Sequence, residues 1–298
     1  MTDQVVICIP TCKRPKMLKR LLDAIAAQET KAVISVLVAD NDAQGRAGFN
    51  LCLSMEDYPW PLTAVIAPNR GIAQARNILI EYAMMTGAPF IAMIDDDEWP
   101  QKDWLDQFLG CAHATGADLL QGSILFGSQA EGHSDIRHAT GPVDMPQGAG
   151  NLLMRRAMLE GLAAPWFDPQ FALSGGEDQD FFVRLRQAGK RFAWCDEARV
   201  HGDVPQTRAN LGWMLRRSYS TGNSDMRVLL KHYPGFARVA TELLKILASL
   251  LLSPLAAVIL APSPNRRAIP LQKLFRAAGK LSAMAGRRYN EYAVIHGE

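Results

Sequence analysis

Apolar positions alternate between two rhythms over the first 125 residues. Val5–Ile9 is a continuous apolar run, the pattern of a strand buried on both faces. Met17, Leu18, Leu21, Leu22 and Ile25 then recur at helical spacing. Val33–Ala39 is a second apolar run and ends at Asp40. After a looser stretch, Ile72–Met85 predicts a helix with Ile72, Ala75, Leu79 and Ala83 on one face. Pro89–Ile94 reads as a strand, Trp104–Ala114 as a helix and Leu119–Phe126 as another strand. This alternation predicts βαβ units in a mostly parallel sheet. From Gly127 to Gly148 the period fades into Gly, Ser, His and Pro, which predicts a long loop or a short antiparallel excursion. Gly148–Met154 is apolar again, and Glu177–Ala188 predicts a helix with Phe181, Phe182 and Leu185 inward. Arg191–Cys195 and Ala198–His201 read as two short strands. The remainder reads as helix broken at Pro205, Pro234, Pro254 and the Pro262–Pro270 stretch.

With 298 residues, 48% of them apolar, the chain can bury one large α/β domain, or a domain plus an appendage. The five cysteines form no CxxC pair, so reduced core thiols and a cytoplasmic setting are expected. The N-terminus enters a strand directly, so no secretory signal is expected. Net charge is +2, but eight basic and no acidic residues lie between Glu242 and Glu291, leaving the rest of the chain net acidic. Within that tail, Leu243–Ala261 is apolar apart from Lys245 and two serines. Its 19 residues are the minimum for a membrane span, and Lys245 and Pro254 weaken that reading. Arg266–Arg288 interleaves basic residues with Leu271, Leu274, Phe275, Leu281 and Met284, as in a helix lying on an anionic leaflet. Residues 243–290 are thus expected to contact an anionic membrane. The alternative is a helical appendage packed on the body of the chain. No nucleic-acid partner is expected.

The apolar run before Asp95, Asp96 and Asp97 delivers three carboxylates to the carboxyl end of a strand. Ligands of open α/β sheets bind at such ends. Three adjacent carboxylates repel one another unless a cation or an oppositely charged group sits among them; with the position at a strand end, this points to a hard divalent ion and the anion it carries. The alternative is a solvated acidic turn or a helix cap. The first strand-to-helix turn, Pro10-Thr-Cys-Lys-Arg-Pro15, contains no glycine, and no GxxxxGK[ST] is present. A dinucleotide-binding fingerprint and a P-loop are both poor fits.

Five segments in order resemble glycosyltransferase family 2, over residues 5–205. They are the Val5–Pro15 opening, Val36–Asp42, Asn69–Asn77, Ile94–Asp97 (a DxD motif read as Asp95-x-Asp97) and Gly176–Phe181. The resemblance implies a GT-A fold: a Rossmann-like mixed α/β sheet flanked by helices. It implies a catalytic domain over residues 1–205, with a nucleotide-sugar half to 125 and an acceptor half from 126. Residues 206–298 would then be a helical, basic region.

The resemblance also implies roles. Pro10, Thr11, Arg14, Asp40, Arg76, Asp95 and Asp96 would bind the nucleotide sugar, with Asp40 on the base and Arg76 near base and ribose. Asp97 would bind Mn²⁺ or Mg²⁺, with His201 completing the metal or phosphate site. Asp95 would serve the ribose or a metal-bound water, and Asp96 a supporting place or none. Asp178 would be the general base, with adjacent Glu177 able to exchange roles with it. Asp180 would orient something nearby. Trp99 and Trp104 would stack on an acceptor sugar or lie in the core. The implied reaction is inverting transfer from a UDP-sugar to a saccharide or lipid-linked acceptor, in polysaccharide or glycolipid synthesis on the inner membrane face. An aspartate-dependent phosphotransferase or phosphatase, and a non-catalytic nucleotide-sugar-binding module, are the competing classes.

Overall fold

The computed structural model describes residues 2–126, 135–203, 210–262 and 264–291. The chain forms two compact units: Met1–Pro169 with Phe181–Val204, and Gln170–Asp180 with Pro205–His296.

The first unit contains a nine-stranded sheet. Its strands are β1 (Gln4–Thr11), β2 (Val33–Asp40), β3 (Leu62–Ile66), β4 (Phe90–Met93), β5 (Glu98–Pro100), β6 (Leu119–Phe126), β7 (Gly141–Val143), β8 (Leu152–Arg155) and β9 (Phe192–Gly202). They lie in the order β3-β2-β1-β4-β8-β6-β9-β5, with β7 on β9. The run β3-β2-β1-β4 is parallel throughout. Strand β8 is antiparallel to β4 and β6, and β9 is parallel to β6 but antiparallel to β5 and β7. Helices α1 (Pro15–Ala26), α2 (Ala47–Leu53), α3 (Ile72–Thr86) and α4 (Trp104–Thr115) connect the strands.

The predicted alternation is present, and its apolar positions form the core. Ile7, Ile9, Val36, Val38 and Ile94 pack with Leu18, Leu22, Trp104 and Phe108 in one buried cluster. Pro15 opens α1, where the missing N–H costs no helical bond. The looser stretch contains α2 and the half-buried strand β3, which has one sheet neighbour and no clean alternation. The two short strands predicted after Arg191 form one strand, β9. A register shift opposite Gly122 and Ile124 absorbs its extra residues, as a bulge does. The excursion after Phe126 includes β7 and an antiparallel bridge from Ile124 to Ile136. Residues 127–134 of that expectation lie outside the described residues.

In the second unit, α6 (Leu211–His232), α7 (Phe236–Ile259) and α8 (Pro264–Met284) pack side by side. The Asn210 side chain caps α6 by accepting from the Trp213 amide at 2.9 Å. The predicted break at Pro234 separates α6 from α7, while that at Pro205 lies outside the described residues. Helix α7 ends at Ile259 and α8 starts at Pro264, so the break predicted over Pro262–Pro270 is present at its start, whereas Pro254 and Pro270 sit inside α7 and α8. Helices α6 and α8 cross backbone to backbone. A Cβ on Gly222 would lie 2.0 Å from the Arg276 carbonyl oxygen, and one on Gly279 would lie 2.0 Å from that of Tyr219. Helix α5 (Glu177–Gln187) starts in the second unit and continues into the first.

Candidate active site

Because β1, β2 and β4 are parallel, their carboxyl ends emerge on one edge of the sheet. Thr11 pairs with Asp40 there, and the Ile94 amide donates to the Cys8 carbonyl at 3.2 Å. The chain then leaves the sheet through Asp95–Asp97. Buried Asp96 accepts from the Thr11 hydroxyl at 2.7 Å and from Arg14 Nη1 at 2.9 Å. The same Arg14 nitrogen donates to Asp97 Oδ2 at 3.1 Å. From α3, buried Arg76 donates to Asp95 Oδ1 at 3.0 Å. Two guanidiniums therefore supply the positive charge that the acidic triplet requires. Arg14 can reach because it occupies the N-cap of α1 without using its side chain as a cap. The glycine-free turn before it is made by Lys13 in the left-handed region, at φ 59°.

Burial pushes the Asp96 carboxyl above the ordinary carboxylate range, while Arg14 and the Thr11 hydroxyl pull it back. Burial alone would lower the Arg14 pKa, but Asp96 and Asp97 raise it.

A fourth carboxylate joins the cluster. Glu98 is 7% exposed, and its Oε2 has no hydrogen-bond partner among the described residues. Burial, then Asp95 and Asp97, push its pKa well above the ordinary range. Facing it is Gly150, where a Cβ would lie 2.7 Å from Glu98 Oε1 and 3.3 Å from Asp95 Oδ2. The next residue, Asn151, is buried with φ 49°. Its amide donates to the Ser123 carbonyl at 3.0 Å and the Ala198 carbonyl at 2.9 Å, and its oxygen accepts from Trp104 Nε1 at 2.7 Å. Asn151 thus fixes the backbone beside the carboxylates. Sequence reasoning missed both residues. For Glu98 the only signal was a fourth acid following three.

As the side chains stand, no three acidic, imidazole or thiol groups among the described residues are arranged to hold a metal ion. The donor set nevertheless fits a hard divalent cation. It offers carboxylate oxygens, one buried and unpartnered, that converge on the position a Cβ at Gly150 would take.

The other expected residues lie nearby or elsewhere. Pro10 is buried in β1. Asp40 is fully buried at the end of β2, where it accepts from the Asp42 amide at 2.9 Å and the Phe49 amide at 3.0 Å, tying down the start of α2. His201 lies opposite Trp99 in the β5–β9 pair, stacks on its ring at 5.7 Å, and has Nε2 3.5 Å from Gln101 Nε2. The Arg20 guanidinium lies 3.1 Å from the centre of the Trp99 ring, so Trp99 is already engaged. Trp104 is a core residue.

In the second unit, Gly175 and Gly176 adopt φ 75° and 93°, which favour glycine. A Cβ at Gly176 would meet that of Ser224 at 2.8 Å. Ser224 Oγ donates to the Gly175 carbonyl at 2.9 Å. This turn delivers Glu177 buried and Asp178 half-buried, with Asp178 Oδ1 accepting from the Gln179 amide at 2.8 Å. Asp180 is fully buried, 2.5 Å from Lys231 Nζ and 2.8 Å from His232 Nε2. Those partners come from the end of α6, and no sequence pattern linked them to the Glu-Asp segment.

The glycosyl transferase family 2 model matches residues 6–161. The succinoglycan biosynthesis protein ExoM of Rhizobium meliloti (strain 1021) is 32% identical over 296 residues, covering 96% of this chain and 94% of ExoM. The mannosyltransferase PcManGT of Pyrobaculum calidifontis, solved with GDP-Man and Mn²⁺, superposes with a TM-score of 0.62 at 17% identity, covering 97% of this chain and 89% of that one. S. aureus TarS 1–349, solved with UDP, superposes with a TM-score of 0.56 at 14% identity, covering 96% and 93%. These likenesses agree with the expected GT-A fold, a mixed sheet flanked by helices. The acidic cluster at the carboxyl ends of the parallel strands, the matched family model and the near full-length similarity to ExoM make one assignment: the chain belongs to glycosyl transferase family 2.

Proposed function

We propose that this glycosyltransferase transfers a sugar, with inversion, from a nucleoside-diphosphate donor to a saccharide or lipid-linked saccharide in exopolysaccharide or glycolipid synthesis. The observation that carries the proposal is the Asp95–Glu98 cluster beside Arg14 and Arg76 at the carboxyl ends of β1 and β4. UDP is the preferred donor nucleotide, as TarS was solved with UDP, and ExoM supports the polysaccharide setting by its name. Residues 1–205 form the proposed catalytic domain, and 206–298 the appended helical region.

Asp40 takes the base, Pro10 and Thr11 line the nucleotide, and Arg76 orients Asp95 toward the ribose. Arg14 donates to the diphosphate. Asp97 holds Mn²⁺ or Mg²⁺, with His201 the remaining candidate ligand. A divalent ion held there would supply Lewis-acid stabilisation of negative charge on a diphosphate leaving group. Asp178 accepts the proton of the attacking acceptor hydroxyl. It is favoured over Glu177 because Glu177 is buried while Asp178 is partly open to solvent.

The enzyme is proposed to work at the cytoplasmic face of a membrane. Helix α7 is long and apolar enough to cross a bilayer, and Leu244, Leu251, Leu255 and Ile259 are exposed on it. Its one acid, Glu242, is neutralised by Lys245 and Lys280, each 2.7 Å away. The reading is a helix lying on an anionic leaflet.

Calorimetric titration with UDP, with and without Mn²⁺, tests the core of this proposal. Wild type is expected to bind UDP only weakly without the ion, and Asp97→Asn to lose the enhancement. Asp178→Asn is expected to retain UDP binding and lose transfer. Full transfer in excess chelator would overturn the metal role.

A further inference from the structure

We propose that Glu98 is a ligand of the divalent cation, shared with Asp95 where the two carboxylates converge beside Gly150. This rests on the metal-dependent reading above and extends it by a residue outside the DxD pair.

Three observations carry it. Glu98 is more than nine-tenths buried, yet its Oε2 has no hydrogen-bond partner among the described residues. A buried carboxylate oxygen left without a partner is costly, and a cation arriving from outside would satisfy it. Second, Asp95 Oδ1 is taken by Arg76, whereas Asp95 Oδ2 faces the same point as the Glu98 carboxylate. That point, the Cβ position of Gly150, lies 2.7 Å from Glu98 Oε1, 3.2 Å from Glu98 Oε2 and 3.3 Å from Asp95 Oδ2. Third, this convergence is held in place. Asn151 anchors the adjoining backbone to Ser123, Ala198 and Trp104, and the Glu98 amide is tied to the Asp95 carbonyl at 3.1 Å. Any residue but glycine at position 150 would put carbon among the carboxylate oxygens. Mn²⁺ and Mg²⁺ prefer such oxygens and are commonly held by one or two protein carboxylates plus the phosphates of the ligand. Glu98 fits this role as an oxygen donor that needs no release from a competing guanidinium, unlike Asp97, and a bound cation would favour its ionised form.

The test uses the full chain and reads the metal directly. Free Mn²⁺ is measured by electron paramagnetic resonance during titration in the presence of UDP, alongside the rise in Tm on adding both. Glu98→Gln, which keeps shape but removes charge, is expected to weaken Mn²⁺ binding by at least ~10-fold and to remove most of the ligand-induced Tm rise. Gly150→Ala, which keeps all four carboxyl groups in the chain but drives a methyl carbon against Glu98 and Asp95 and so displaces them, is expected to do the same. UDP binding without metal is expected to be unchanged in both. Wild-type Mn²⁺ affinity in a folded Glu98→Gln protein would overturn the assignment of Glu98 alone. No Mn²⁺ binding in wild type with UDP would overturn the metal-dependent reading itself, and Glu98 with it.

Discussion

Replacing Asn151 by alanine is expected to be among the most damaging single changes in the first unit. The side chain is fully buried and makes three hydrogen bonds, to Trp104 Nε1 and the Ser123 and Ala198 carbonyls, at 2.7 to 3.0 Å. Alanine leaves one donor and two acceptors without partners in a dry site, at roughly 1–3 kcal/mol each. It also places a Cβ-bearing residue without asparagine's local compensation at φ 49°, at about 1 kcal/mol. The low end of these costs is already about 4 kcal/mol, against a typical total stability of ~5–15 kcal/mol. Asn151→Gly separates the causes, because glycine adopts this backbone freely and loses only the hydrogen bonds; it is expected to be about 1 kcal/mol milder. The assay is urea unfolding followed by tryptophan fluorescence, with Trp104 reporting its own lost partner. A loss below about 1.5 kcal/mol for Asn151→Ala would refute the reasoning, because it would mean that the abandoned groups find other partners.

Gly222→Val drives side-chain carbon into the Arg276 backbone where α6 and α8 cross, so Tm is expected to fall by several degrees, with Gly222→Ala intermediate. Asp196 is held near pKa 2, first by its hydrogen bond from Arg137 and also by Ser123, so its contribution is full above about pH 4 and is lost as pH falls toward 2. Asp196→Asn should flatten the Tm-versus-pH curve in that window, and an unchanged curve would remove the assignment. Arg14→Gln is expected to strengthen Mn²⁺ binding in the absence of nucleotide while weakening UDP binding, both read by titration; tighter UDP binding would contradict Arg14's proposed contact with the diphosphate. His232→Ala, beside Asp180, is expected to lower kcat while leaving UDP affinity unchanged, since it acts through the Glu-Asp turn of its own unit.

The parallel half of the sheet was legible because its strands are buried on both faces and read as unbroken apolar runs. Helices α1 and α3 were legible from their spacing. What escaped was governed by contacts distant in sequence. Strand β5 is three residues long and exists because it pairs with β9 more than 90 residues later, and β3 is a half-buried edge. Pro254 looked like a break from its missing N–H alone, yet it sits inside α7, as Pro270 sits inside α8. At the site, the acids announced themselves as a run. The groups that govern them did not: Arg14 follows a turn without glycine, and Gly150 and Asn151 come from between β7 and β8.

Arg14 and Arg76 also bear on the order in which ligands can arrive. Four bare carboxylates would surround the entrance with negative potential and repel an incoming diphosphate, slowing encounter most at low ionic strength. With two guanidiniums already seated on Asp95, Asp96 and Asp97, and Glu98 pushed toward its neutral form by burial, much of that charge is cancelled before anything binds. The proposed donor anion would therefore not have to wait for the proposed cation before approaching. Its association rate should vary less with salt than the count of acids alone would suggest.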